Sequence, residues 1–286
     1  MTLPKFTFLA PVSLAEACAL LEQHQGKIKL KAGGTDMIIR LSHRAVKPEY
    51  LLSIKDLPEL DEISCDATNG LTIGAMALLH SVESSPLILE KAPMLARAAH
   101  ATATVQIRNM GTVMGNLCNA SPSADNIPTL MAMKAGIVAY SSSGEREIPL
   151  DEFFLGPGRT ALKPAEIATA IKVPAASLAN GVSYQKISPR SKVDIAAVNI
   201  GAMLAVSDGC ISEARIVMGA VGPTPLRAVQ AENYLAGKTT SDEVLSEAGR
   251  LAAADASPIS DVRASREYRR LMVEVLTKRA LQEAAA

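Results

Sequence analysis

The sequence predicts an α+β fold, in which a larger N-terminal region precedes a smaller C-terminal domain of antiparallel strands and helices. Helix and strand signals alternate from the N-terminus to about residue 174. Three strand-like segments then follow, two of them joined by the hairpin turn signal Asp208-Gly209. Two helical patterns close the chain. A small, polar stretch at residues 174–181 marks the boundary, so we expect domains at 1–176 and 177–286.

The N-terminal elements begin at a capping box, Ser13 to Glu16, that predicts a helix start. Residues 27–32 alternate lysine with apolar side chains, the pattern of a strand with one face in solvent. This strand leads into two glycines and a possible helix from Met37. Further strands are predicted at 50–54 and 70–74, and helices over 86–100 with a break at Pro93.

The segment 109–126 contains four Asn, two Gly, two Ser, one Thr, one Pro and one Asp, too many turn formers for an ordinary helix or strand. A helix at 127–134, a strand at 136–140 and a turn at 141–144 are predicted next. The C-terminal strands are expected at 183–187, 197–206 and 211–217, before a second capping box at 240–243. The predicted apolar stripe of the last helix comprises Tyr268, Leu271, Met272, Val275 and Leu276.

Composition excludes several classes of function. The 29 basic and 29 acidic residues balance, which disfavours nucleic acid or an anionic membrane as partner. No apolar run is long enough for a membrane span and no signal peptide is visible, so we expect a soluble, cytoplasmic protein. The four cysteines form no CxxC pair and the four histidines show no ligand spacing, so we expect no metal site in this chain.

The first candidate site is the loop Lys31-Ala-Gly-Gly-Thr-Asp36, which follows the predicted strand. Adjacent glycines allow a ligand to approach the backbone closely, and successive N–H groups can bind an anion such as pyrophosphate. An ordinary tight turn would have the same composition. The loop is neither a G-x-G-x-x-G motif nor a P-loop, because both spacings differ.

The second candidate is the segment 106–125, which is rich in side chains that hydrogen bond. Asn116, Asn119, Ser121 and Asp125 could contact ribityl hydroxyls, a phosphate or a ring edge. A structural Ω-loop explains the same composition.

Together, the two segments resemble a known family. A strand into A-G-G-T-D, followed by Q-I-R-N-x-G-T-x-x-G-N-x-x-N-A-S-P-x-x-D, is similar to the FAD-binding medium subunit of the molybdenum hydroxylases. This is the xanthine dehydrogenase and aerobic carbon monoxide dehydrogenase family. The similarity continues through residues 158–174, 184–196 and 219–237, and it covers nearly the whole chain.

The resemblance implies an FAD-binding domain of the p-cresol methylhydroxylase type, with subdomains at about 1–56 and 57–176, and a C-terminal domain of the carbon monoxide dehydrogenase flavoprotein type. It implies an FAD that takes electrons from [2Fe-2S] clusters on a small subunit, supplied by a molybdopterin cofactor on a large subunit. The electrons leave to NAD or another acceptor. A dimer of heterotrimers is expected, and no catalytic acid or base is required of this chain. Xanthine or a related purine is the preferred substrate of the complex, with carbon monoxide, nicotinate and aldehydes open.

The resemblance also implies roles for particular residues. The backbone from Ala32 to Asp36 would hold the pyrophosphate, and Leu162 would pack near the flavin or adenine rings. Lys186 would lie near the isoalloxazine, with Tyr184 beside that ring. From residue type alone, Leu162 is a core leucine and Lys186 a solvated strand lysine. Arg108 is expected to anchor its own loop through carbonyl hydrogen bonds. The full predicted set is Lys31, Ala32, Gly33, Gly34, Thr35, Asp36, Met37, Gly111, Thr112, Gly115, Asn116, Asn119, Asp125, Leu162 and Lys186.

The chain departs from the family pattern at Met114, where many relatives have glycine, so the backbone could approach FAD differently there. Cys118 lies inside the second segment, and no cysteine-rich insertion for an extra cluster is present.

Two other functions remain open. One is a self-sufficient flavin-dependent dehydrogenase, and the other is a scaffold subunit that no longer binds FAD.

Overall fold

The structure is a computed structural model that describes residues 2–191 and 193–286. Its first part is a three-stranded parallel sheet with two helices. The elements are strand β1 (Thr7–Leu9), helix α1 (Leu14–Gln23), strand β2 (Ile28–Lys31), helix α2 (Thr35–Ser42) and strand β3 (Tyr50–Ser53). Strand β3 lies between β1 and β2. The predicted cap of α1 is confirmed, because Ser13 Oγ accepts a hydrogen bond from the Glu16 amide.

The second part is a five-stranded antiparallel sheet in the order β4-β5-β10-β6-β7. Its strands are β4 (Ile63–Asp66), β5 (Gly70–Gly74), β6 (Gly136–Ser141), β7 (Gly144–Pro149) and β10 (Ile167–Val173). Strand β10 is the last of them in the chain, yet it lies at the centre of the sheet. Strands β8 (Phe154–Gly156) and β9 (Arg159–Thr160) form a separate hairpin.

Seven helices accompany this sheet. Six of them connect β5 to β6: α3 (Leu79–Ser84), α4 (Pro86–Lys91), α5 (Pro93–His100), α6 (Val105–Arg108), α7 (Val113–Cys118) and α8 (Asn126–Ala132). The seventh, α9 (Leu150–Phe153), follows β7. The predicted break at Pro93 is confirmed as the start of α5. Helix α7 differs from the prediction, because it forms within the turn-rich segment and is capped by Thr112.

The C-terminal part is a four-stranded antiparallel sheet in the order β11-β12-β13-β14, with helices on it. The strands are β11 (Gly181–Ile187), β12 (Val198–Ser207), β13 (Cys210–Gly219) and β14 (Leu226–Arg227). Helix α10 (Ala175–Leu178) precedes them, and α11 (Val229–Leu235), α12 (Asp242–Asp255) and α13 (Arg266–Ala284) follow. The predicted hairpin turn is confirmed, with φ of 52° at Asp208 and 74° at Gly209.

The C-terminal sheet packs on both of its faces. One face contacts α11 and α13, and α12 packs on these two helices. The apolar side chains of the three helices form a core with Ile200, Leu204 and Ile216. On the other face, Met203 and Val217 belong to the core of the preceding part. Helix α8, which is buried along its whole length, contacts β12 and β13 there. The described residues therefore pack around three apolar cores, of which one is shared between the N-terminal and C-terminal parts.

Two predictions for the last helices are wrong in detail. The cap of α12 is Ser241 rather than Thr240, because the Ser241 hydroxyl accepts from the Val244 amide. The buried stripe of α13 is made by Val273, Leu276, Ala280 and Leu281 together with neighbouring residues. Of the predicted stripe, Tyr268 and Leu271 are exposed and Leu276 is buried.

Candidate cofactor-binding cleft

A single cleft of roughly 550 Å³ gathers the predicted site residues. Cofactor sites in proteins commonly occupy about 300–1,000 Å³, so the size suits an organic cofactor. The first loop, the second segment and Leu162 all contribute to its lining, although they lie far apart in the sequence. Every residue of the predicted set lines the cleft except Lys186.

The two glycine-containing segments that line the cleft contact each other directly. A Cβ atom on Gly33 would lie 1.9 Å from the carbonyl oxygen of Met110, a distance that no side chain tolerates. Gly34 has φ of 84° and immediately precedes α2. The sequence therefore uses glycine at 33 for close backbone packing, and at 34 for a left-handed turn that lets the helix begin.

The second segment is ordered by its own side chains. Thr112 Oγ1 accepts the Gly115 amide at 2.9 Å, which caps α7. Asn119 Nδ2 donates to Asp36 Oδ1 at 3.2 Å and so ties the second segment to the first loop. Burial raises the pKa of Asp36, while the nearby Arg40 lowers it.

At the cleft wall, Asp125 and two side chains behind it form a buried polar cluster that joins the second segment to the C-terminal sheet. Asp125 Oδ1 accepts from Tyr184 Oη at 2.6 Å, and Asp125 Oδ2 accepts from Lys186 Nζ at 3.1 Å. The Lys186 ammonium also donates to the Ala101 carbonyl at 2.9 Å. Burial raises the pKa of the Asp125 carboxyl, and the charge of Lys186 opposes that rise. Burial likewise raises the pKa of the Tyr184 phenol well above its usual value.

The predicted anchoring role of Arg108 is confirmed by its hydrogen bonds. Arg108 Nη1 donates to the carbonyls of Thr102 and Ala103 at 3.3 Å and 3.0 Å. The two departures from the family pattern also lie at the cleft, since Met114 and Cys118 both contribute to its lining. Burial raises the pKa of the Cys118 thiol to about 12, which keeps it protonated and unreactive at neutral pH.

Sequence reasoning missed several cleft residues. Ala103 carries no pattern that would have singled it out, and it has φ of 50°. Ile107 stands inside the Q-I-R-N motif and could have been found from that motif. The other missed residues are Leu30, Arg40, Ile54, Ala75, Leu79, Thr102, Ser123, Ala124, Glu166, Ala168, Val193, Asp194 and Ile195.

The lining combines two kinds of surface. Polar groups cluster around the first loop and the second segment, where Thr35, Asn116 and Asn119 offer hydrogen-bonding side chains. Apolar side chains, including Ile54, Leu79 and Leu162, supply the rest. A cofactor with a polar diphosphate and a planar ring matches this combination, so the residues present fit FAD. Over residues 2–191 and 193–286 there is no cluster of three or more potential metal ligands, and no helix is both long and apolar enough to cross a membrane.

Two family models match the chain and together cover nearly all of it. Residues 4–176 match the FAD-binding domain in molybdopterin dehydrogenase. Residues 183–284 match the carbon monoxide dehydrogenase flavoprotein C-terminal domain.

Relatives and solved structures agree with this assignment. The chain is 34% identical to the carbon monoxide dehydrogenase medium chain of Hydrogenophaga pseudoflava, across 99% of this chain and 98% of that protein. It is 31% identical to a putative xanthine dehydrogenase FAD-binding subunit of Escherichia coli, across 96% and 94%. A chain in the solved structure of carbon monoxide dehydrogenase from Hydrogenophaga pseudoflava superposes with a TM-score of 0.94, at 36% identity, covering 99% of this chain and 98% of that one.

The predicted α+β fold and the resemblance drawn from the two motifs are both confirmed by these matches. The motif residues themselves meet in one cleft within the matched FAD-binding domain. The chain belongs to the family of FAD-binding medium subunits of the molybdenum hydroxylases, the carbon monoxide dehydrogenase and xanthine dehydrogenase types.

Proposed function

We propose that this chain relays electrons within a molybdenum hydroxylase complex, from [2Fe-2S] clusters of a small subunit through FAD to NAD or another acceptor. The observation that carries the proposal is the convergence of the two motif segments on one cleft of suitable size and polarity. In the proposed complex, a molybdopterin cofactor on a large subunit delivers the electrons. The bound flavin supplies the redox chemistry, and the protein supplies binding, orientation and electrostatics.

Each part of the cleft has a distinct task in this proposal. The backbone from Ala32 to Asp36 binds the pyrophosphate, because its N–H groups lie at and just before the N-terminus of α2. The segment from Gly111 to Asp125 binds the remaining polar groups of FAD, and Leu162 packs against a ring. Lys186 acts from behind the wall, where it holds Asp125 and the Ala101 carbonyl in place.

We further propose the division of the chain into subdomains at about 1–56 and 57–176, and a C-terminal domain at 177–286. The two family models change over between residues 176 and 183, which supports the latter boundary. The proposed assembly is a dimer of heterotrimers in the cytoplasm.

We propose a purine such as xanthine as the preferred substrate of the complex. Relatives of nearly equal identity are named for carbon monoxide, glyceraldehyde and xanthine, at 34%, 33% and 31%. This spread is expected if another subunit selects the substrate. Identification of the subunits that co-purify with this chain, followed by assay of the complex on these three compounds, tests the preference.

The absorption spectrum of the gently purified chain tests the central proposal. We expect the two visible bands of oxidised flavin at about one FAD per chain, and bleaching of those bands when the reduced small subunit is added under anaerobic conditions. Absence of flavin would favour a scaffold subunit. Bleaching of the isolated chain by a small-molecule substrate, without a partner, would favour a self-sufficient dehydrogenase.

A further inference from the structure

The loop 101–104 contributes to the cleft lining, and buried cationic side chains hydrogen bond to its carbonyl groups. Thr102 and Ala103 both contribute to the cleft surface, and Ala103 adopts the left-handed backbone region with φ of 50°. An alanine in this region costs roughly 1–2 kcal/mol relative to ordinary backbone, so the surrounding contacts must hold it there.

Two buried cations hold the carbonyl groups of this loop from behind. Lys186 Nζ binds the Ala101 carbonyl at 2.9 Å. The Arg108 guanidinium binds the carbonyls of Thr102 and Ala103, and only 8% of its side chain is exposed.

A carboxylate on another helix fixes the guanidinium in turn. Glu83, on α3, accepts from Arg108 Nε at 2.7 Å and from Arg108 Nη2 at 3.5 Å. The same carboxylate accepts from His100 Nδ1 at 2.6 Å, and its side chain is 20% exposed. Two-point contact with a carboxylate orients a guanidinium more sharply than a single contact would.

We propose that Arg108 and Glu83 are positioning residues for the cofactor, which fix the loop 101–104 in the conformation that lines the cleft. This inference rests on the proposed binding of FAD in that cleft. Because peptide groups are planar and trans, the carbonyls held by Arg108 turn the N–H groups of Ala103 and Thr104 away from the guanidinium. The loop therefore presents a fixed wall to the cofactor, whereas a mobile loop would have to be ordered at each binding event.

Substitution of Arg108 by lysine tests the proposal. Arg108→Lys keeps the positive charge, but one ammonium cannot reproduce the planar fork that binds Glu83 and two carbonyls. Loss of such buried, charge-assisted hydrogen bonds should raise the dissociation constant for FAD by about tenfold or more. The measurement is titration of the full-length, FAD-free chain with FAD, followed by flavin fluorescence.

Arg215→Lys provides the matched control. Arg215 is also buried and binds a carbonyl and a carboxylate, those of Met131 and Asp151, but none of these residues lines the cleft. We expect the FAD dissociation constant of Arg215→Lys to stay within about threefold of the wild-type value, even though this variant is less stable. The midpoint potential of the bound flavin should move in Arg108→Lys and stay constant in Arg215→Lys.

Glu83→Gln is a milder variant for use if Arg108→Lys does not fold. Glutamine keeps an acceptor for the guanidinium but removes the charge, so we expect a rise in the FAD dissociation constant between those of wild type and Arg108→Lys. Wild-type affinity and potential in both Glu83→Gln and Arg108→Lys would overturn the positioning role while leaving FAD binding intact. Equal loss of affinity in Arg108→Lys and Arg215→Lys would also overturn it. A wild-type chain that binds no FAD would overturn both this inference and the proposed function.

Discussion

Gly33 and Gly34 are adjacent, yet each is required for a different reason. At Gly33 the constraint is contact, since a Cβ would meet the Met110 carbonyl oxygen at 1.9 Å. At Gly34 the constraint is backbone conformation, with φ of 84°, and the nearest obstacle is the flexible Lys31 side chain. The shape of the first loop thus depends on its direct contact with the second segment.

We expect Gly33→Ala to destabilise the protein by about 2–3 kcal/mol and to lower its FAD content, because the new methyl group must push the two loops apart. Gly26→Ala is the matched control. Gly26 has φ of 81° but open space around its Cβ position, so only backbone strain of about 1 kcal/mol is added. Urea unfolding and the ratio of flavin to protein absorbance measure both effects. Equal losses in the two variants would contradict the role of the contact.

At the scale of elements, the sequence patterns located most helices and strands. For α13, however, they predicted that a face which is in fact partly exposed would be buried. This helix has a second apolar strip, with Tyr268 and Leu271 facing solvent, so periodicity alone could not choose between two faces. The buried face also includes Arg269, which a search for apolar residues rejects. Arg269 is buried because its guanidinium binds the carbonyls of Ala197 and Ala220 and the carboxylate of Asp261.

Asp261 should make the anchoring of α13 dependent on pH. Partial burial raises the pKa of Asp261, but hydrogen bonds from the Arg263 amide and the Arg269 guanidinium outweigh it and lower the pKa to about 2. A carboxyl with a lowered pKa stabilises the folded state above its unfolded pKa, and this stabilisation is lost as the pH falls toward 2.

We therefore expect Asp261→Asn to be less stable than wild type at pH 7, and the difference in free energy of unfolding to shrink as the pH is lowered from 4 to 3. Urea unfolding at a series of pH values measures it. A difference that stays constant over this range would show that the charge of Asp261 does not anchor α13.

At the scale of the whole molecule, the cofactor cleft and the C-terminal sheet are joined through buried charge. Asp125 and Lys186 have side chains that are 9% and 7% exposed, and they lie 3.0 Å apart. Removal of one partner leaves the other charge buried without compensation, which commonly costs about 3–5 kcal/mol.

We expect Asp125→Asn and Lys186→Met to destabilise the FAD-free protein strongly as single variants. The double variant should be less destabilised than the sum, with a coupling of more than about 1 kcal/mol, because neither residue then leaves an unpaired charge. Lys134 and Glu213 form the control pair, since they also join the two parts but are 41% and 40% exposed. Their coupling should stay below about 1 kcal/mol, and equal coupling in both pairs would refute the argument.

The sequence predicted the two segments that meet in the cleft, but it predicted little of what supports them. Glycine turns and Asn-rich segments are visible in a single chain because their composition is unusual. The residues behind the wall, such as Glu83, lack such a signal, because a salt bridge between distant segments leaves no local pattern. The position of Lys186 near the isoalloxazine, which the resemblance implies, stays a prediction; its hydrogen bonds to Asp125 and the Ala101 carbonyl left no signal in the sequence.

The central position of β10 has a consequence for synthesis of the chain. Strands β5 and β6 each pair with β10, which is made after both of them. On the ribosome, the five-stranded sheet cannot close until residues 167–173 have emerged, and until then two apolar edges lack their neighbour. Exposed strand edges invite pairing with other chains. The growing polypeptide therefore passes through a stage vulnerable to aggregation, and chains truncated before β10 would be expected to precipitate or require a chaperone.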